Sequence, residues 1–145
     1  MAALTADVIV DRIRSICVAS PFGFSEAPTW NSFDQVPTGA IDGSFRVPPP
    51  ASQRVNGRFD YVEDRTESVQ IWVARKHGMD YGAVRQALLR DVHSLTSAVV
   101  RDAHQESGDY AVLDGGRGHA ISPEDQTKEY ITLRLTLPVY YEAQL

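Results

Sequence analysis

Residues 131–139 alternate strictly, with Ile131, Leu133, Leu135, Leu137 and Val139 on one side and Thr132, Arg134, Thr136 and Pro138 on the other. A period of two over this length is a β-strand with one apolar face, and that face must be covered. A second pattern supplies the cover. Val84, Leu88, Val92, Leu95 and Val99 recur at spacings of three and four, the stripe of an amphipathic helix, with Asp80 placed to cap its start and Ser107-Gly108 its end. These two segments exclude an all-helical or all-strand chain and predict a helix lying on a sheet. Pro138 has no N–H to give a ladder, so that end of the strand is expected at a sheet edge or beyond the last pair.

The rest of the chain fits the same plan. Residues Thr5 to Ala19 predict a first helix, capped by Thr5 and ended by Ser20-Pro21, with Ile9, Ile13, Ile16 and Cys17 on one face. Phe59, Tyr61 and Glu63 predict a strand that turns near Asp64-Arg65 into a second one through Val69, Ile71 and Val73. Tyr110, Val112 and Leu113 predict another strand, which Gly115-Gly116 would turn into a weak return strand over His119 to Ser122. The expected fold class is α+β: a mostly antiparallel sheet with two helices on one face, in a single domain of 145 residues.

Between Pro21 and Gly57 this periodicity stops. Six of the eight prolines lie there, together with four of the five phenylalanines and Trp30. Flexible linkers are poor in aromatics, so the segment reads as a long structured arm, with Ala40 to Val47 as a short strand and Pro48-Pro49-Pro50 as polyproline II. Phe22, Phe24, Trp30, Phe33 and Phe45 need cover from water. Either the arm folds back over a bare face of its own sheet, or these five aromatics are interface residues that dock on a neighbouring subunit. The docking reading expects a chain lacking Asn31 to Thr38 to stay folded.

Composition narrows the function. Fourteen basic and nineteen acidic residues leave a net charge of −5, which argues against a dedicated nucleic-acid surface while allowing a local basic patch. The single cysteine, Cys17, rules out an intrachain disulfide and Cys-based zinc sites. On the apolar face of the first helix, it reads as a buried inert thiol. No stretch reaches the roughly 18 apolar residues of a spanning helix. Met1 to Val10 lacks the basic start of an export signal.

Catalytic and metal-binding patterns are weak. His77, His93, His104 and His119 show no helical metal-ligand spacing. On one helix, His93 and His104 stand about 16 Å apart, too far to share an ion. Asp114-Gly115-Gly116-Arg117-Gly118 has the glycines of an anion cradle but lacks the Lys-Ser/Thr of a phosphate loop, so it reads as a hairpin turn. Glu63-Asp64 and Glu124-Asp125 lack a calcium-loop pattern and read as solvated turns. No catalytic residue, metal or cofactor is expected. An enzyme would have to use His93 or His104 as base beside Asp91, Asp102 or Glu106.

The element order, the loop Ser44-Phe45-Arg46-Val47-Pro48, the strand Glu67 to Ala74, the long helix, and the closing strand from Tyr130 to Tyr141 together resemble the tail terminator (tail completion) proteins of long-tailed bacteriophages. The resemblance implies a structural virion protein at the tail–neck junction, present in the host cytoplasm during assembly. Its subunits would form a homo-oligomeric, six-fold ring that ends the tail tube. Its partners would be the tail tube protein and the head–tail connector protein, and DNA would pass through the lumen without specific binding. A neighbouring reading is another neck protein, a head-completion or connector adaptor.

Overall fold

The computed structural model describes residues 4–50, 53–59, 61–78, 80–113, 118–122 and 129–144. In chain order they form α1 (Ala6–Val18), β1 (Ser25–Glu26), β2 (Ser44–Arg46), β3 (Gln53–Phe59), β4 (Val62–Lys76), α2 (Tyr81–Arg101) with a π-helical last turn (Asp102–Ser107), β5 (Tyr110–Val112), β6 (Gly118–Ile121) and β7 (Tyr130–Gln144). Two helices pack against a mostly antiparallel mixed sheet, an α+β fold in which β1 and β2 form the one parallel pair among the described strands.

The sheet is built on two long inner strands. β4 and β7 pair antiparallel over all fifteen of their residues, from Val62↔Gln144 to Lys76↔Tyr130, a ladder about 50 Å long. Each side of this inner pair carries two shorter strands laid end to end, and β1 adds outside β2. β2 and β3 follow one another along the free side of β4, and β5 and β6 follow one another along the free side of β7.

This pairing corrects three expectations. β5 and β6 do not form a hairpin with each other, since both run antiparallel to β7 in the same direction. The turn expected at Gly115-Gly116 lies outside the described residues, as does Glu124-Asp125. Pro138 is not at a sheet edge but in an inner strand, opposite Ser68. Its carbonyl accepts from the Leu113 N–H at 2.9 Å. In an antiparallel strand N–H and C=O of one residue point the same way, so the missing donor faces the break between β5 and β6, where least ladder is lost. The third correction is the position of the hairpin's turn: the β3–β4 ladder closes on the pair Phe59↔Val62, and not at Asp64-Arg65. Glu63, Asp64 and Arg65 are strand residues. Glu63 is buried because Arg58 across the ladder and Arg65 two residues along both donate to its carboxylate, at 2.6 Å each.

The odd-numbered face of the inner strands carries the main core. Val69, Ile71, Val73, Ile131, Leu133, Leu135, Leu137 and Val139 meet Leu88, Leu95 and Val99 of α2 and Ile9, Ile13 and Cys17 of α1. Val84, Val92 and Ile16, at the borders of the two stripes, are half-buried. Both helices start where their sequence says. Thr5 is the N-cap of α1 without a side-chain hydrogen bond, and Asp80 caps α2 by accepting from the Ala83 N–H at 3.1 Å. The helical path ends at Gly108, whose φ of 67° is left-handed and open to glycine at little cost.

The arm wraps one edge of the sheet. Phe24, Phe45 and Val47 are buried in the main core, with Phe22 packed against them. Between them the chain crosses to the even-numbered face, where Trp30 is buried with Trp72, Ala74 and Tyr130 and is covered by Phe33, Val36 and Ala40. The crossing back requires Gly43. Its φ is 78°, its N–H donates to the Ala74 carbonyl, and a Cβ there would stand 3.4 Å from the Phe24 ring.

Candidate functional site

His93, His104 and His119 are exposed, as is Glu106, while Asp91 and Asp102 turn inward to arginines on other elements. Asp91 accepts from Arg75 of β4 at 2.7 and 2.9 Å. Asp102 accepts from Arg12 of α1 at 3.0 and 2.6 Å and from the buried Tyr110 hydroxyl at 2.7 Å. These pairs tie helix to sheet and helix to helix. His77, just ahead of α2, is buried: its Nδ1 lies 2.6 Å from the Gly78 carbonyl and its ring 4.3 Å from that of Tyr81. Cys17 is buried on α1 as expected, and burial pushes its thiol up to about 12. A thiol so far from ionising is a poor nucleophile. Among the described residues no group of three or more His, Cys, Asp or Glu could hold a metal ion, and no helix is long and apolar enough to cross a membrane.

The Asp102 cluster makes stability depend on pH. The Arg12 hydrogen bonds, with help from Tyr110 and against the cost of burial, hold the Asp102 carboxyl below its ordinary range. A carboxyl lowered by folding stabilises the native state at pH values above its unfolded pKa, and that gain is lost as pH falls toward the folded value. Glu63 is shifted the same way by Arg58 and Arg65. The melting temperature should therefore drop on acidification below about pH 4. Asp102→Asn should be less stable at pH 7 by roughly 1.5–3 kcal/mol, the worth of a charged hydrogen bond, and should lose less on acidification. Parallel acid limbs in thermal melts of the two proteins would refute this account.

The five aromatics of the arm lie in the subunit's own cores. Trp30 and Phe45 are fully buried, Phe24 nearly so, and Phe22 and Phe33 half-buried against them. This is the self-covering arrangement of the arm. The rings expected to face a neighbouring subunit are occupied at home, because the crossing at Gly43 lets the arm close over both faces of its sheet edge.

The bare aromatics stand elsewhere. Phe59 and Tyr61, at the tip of the β3–β4 hairpin, are 79% and 75% exposed, and Val55 on the same strand is also exposed. Among the described residues β3 pairs with β4 alone, and no described strand covers its outer side. The hairpin is nevertheless stiff. Arg58 and Arg65 grip Glu63 from two sides, Asn56 bonds Thr66 across the ladder, and Tyr141 of β7 bonds Glu67 at 3.0 Å. A signal for this tip stood in the sequence: two aromatics between Arg58 and Glu63-Asp64-Arg65, apolar rings in a charged neighbourhood.

Fold and surface thus define an α+β chain whose largest bare apolar groups, among the described residues, sit at the tip of a braced hairpin. No protein-family model matches the chain, and no curated protein matches its sequence.

Proposed function

We propose that this chain is a structural virion protein, a subunit of the ring that ends the tail tube of a long-tailed bacteriophage and joins the tail to the head connector. The observation that carries the reading is the hairpin tip. Two large aromatics held in water on a stiff support cost solvation free energy that is recovered when a partner covers them, and buried aromatics dominate interface energies. The element order and closing strand, which resemble tail terminators, supply the kind of partner: copies of the chain and the end of a tail tube. DNA passes through the lumen without specific binding, in keeping with the net charge of −5.

The test is mass measurement and negative-stain imaging of the purified chain, with and without tail tubes. The expected result is rings that cap tube ends. Phe59→Ser/Tyr61→Ser is expected to melt like the parent, because both side chains are exposed, yet to leave tubes uncapped. A chain that stays monomeric and ignores tubes, or that binds the head connector and not the tube, overturns the proposal, the latter in favour of a neck adaptor.

A further inference from the structure

A groove stands at the opposite end of the sheet from the hairpin tip. Shallow and about 450 Å³ in volume, it lies between the C-terminal half of α1 and β1, lined by Asp11, Arg14, Ser15, Val18, Ala19 and Glu26. Its floor is apolar, and Val18 is 55% exposed there. Glu26 of β1 pairs with Phe45, which pairs with Val73 of β4, whereas the hairpin tip begins at Val62. Eleven residues along one strand separate the two levels, about 36 Å.

We propose that Phe59 and Tyr61 of one copy seat in the α1/β1 groove of the next copy. This rests on the ring reading above and names its contact. Two different patches at opposite ends of a subunit make a head-to-tail contact, which closes into a ring when the rotation per subunit divides the circle; a contact between identical patches would stop at a dimer.

Charge fits the same seating. Arg58, beside the tip, uses Nε and Nη2 on Glu63 and keeps Nη1 for a partner. Asp11, on the groove rim, has a side chain 70% exposed and meets Arg14 through only one oxygen, at 3.3 Å. The rim's other carboxylate, Glu26, is held by Arg14 at 2.6 and 2.7 Å, which leaves Asp11 as the acidic group facing an incoming arginine. A second groove, around Tyr110, Tyr140 and Glu142, lies at the tip's own end of the sheet.

The experiment pairs Tyr61→Cys with Val18→Cys in one full-length chain and follows oxidation on non-reducing gels, beside imaging of the parent protein. Cys17 is buried and stays out of the reaction. The expected result is a ladder of covalent species beyond the dimer, absent from either single variant. In addition, Val18→Asp should melt like the parent and associate roughly tenfold or more weakly, the loss typical of an interface anchor. Parent rings without a ladder, and with Val18→Asp still assembling, overturn this contact and leave the ring reading standing. A ladder from a parent that forms filaments or open chains upholds the contact and overturns the ring. A ladder that stops at the dimer overturns the head-to-tail contact.

Discussion

Trp30→Ala is expected to lower unfolding free energy by about 3–5 kcal/mol, the range for removing a buried tryptophan. The side chain is fully buried. Its ring centroid lies 5.5 Å from that of Trp72 and 6.4 Å from that of Phe33, and Phe33 in turn meets Trp72 edge-on at 5.8 Å. The three rings form the centre of the smaller core, and Arg134 closes it from outside, 5.2 Å above Phe33. With the indole gone, Trp72 and Phe33 each lose a ring neighbour, and a core this small has little to collapse inward. Denaturant titration measures the effect, and a loss under about 1 kcal/mol would show that the second core is loosely held. The same geometry reverses the expectation for deleting residues 31–38. That segment contains Phe33 and Val36, which cover Trp30 and Trp72, so the shortened chain should unfold more easily instead of remaining a sound monomer.

The second large effect lies on the opposite face. Leu88→Ala should cost about 2–5 kcal/mol, part lost transfer free energy and part cavity. Leu88 is fully buried, one of three α2 residues, with Leu95 and Val99, driven into the main core. Leu89→Ala, one position along and half exposed, should stay within roughly 0.5 kcal/mol of the parent. Similar midpoints for the two variants in denaturant would mean that α2 does not press this stripe onto the sheet.

Why α2 was readable and the position of the β3–β4 turn was not follows from the range of the forces involved. A stripe such as Leu88, Leu95 and Val99 is local: its period is set by the helix itself, and Asp80 announces the start. The strand 131–139 was equally plain, and only its neighbours were hidden. The placing of Pro138 depends on where β5 ends, more than twenty residues earlier in the chain, and no local pattern carries that register. Gly115-Gly116 looked like a hairpin turn because turn chemistry is local, while the choice of β7 as common partner for β5 and β6 is not. The charged run Glu63-Asp64-Arg65 looked like a turn because charge usually means water. Here Arg58 and Arg65 neutralise Glu63 and let the run continue as strand. The inward carboxylates of α2 were hidden for the same reason, since Asp91 and Asp102 find their arginines on β4 and α1. For the candidate site, the aromatics were legible as a class, but which of them stay in water was decided by the path of the arm around Gly43.

The end-to-end arrangement of the outer strands bears on how the protein behaves when concentrated. An unbroken, flat outer strand invites another chain to add to it by backbone hydrogen bonds alone, without regard to side chains, and so seeds fibres. Here the two strands long enough to do so, β4 and β7, are sealed inside the sheet. What faces outward among the described strands comes in pieces of two to seven residues: β1, laid outside β2, and β3 on one margin, β5 and β6 on the other. The first margin is interrupted by Pro48-Pro49-Pro50, three residues of which none can donate a backbone hydrogen bond. Indiscriminate zippering is thereby discouraged, and a contact between copies would have to run through side chains, which can be matched to one partner and one angle.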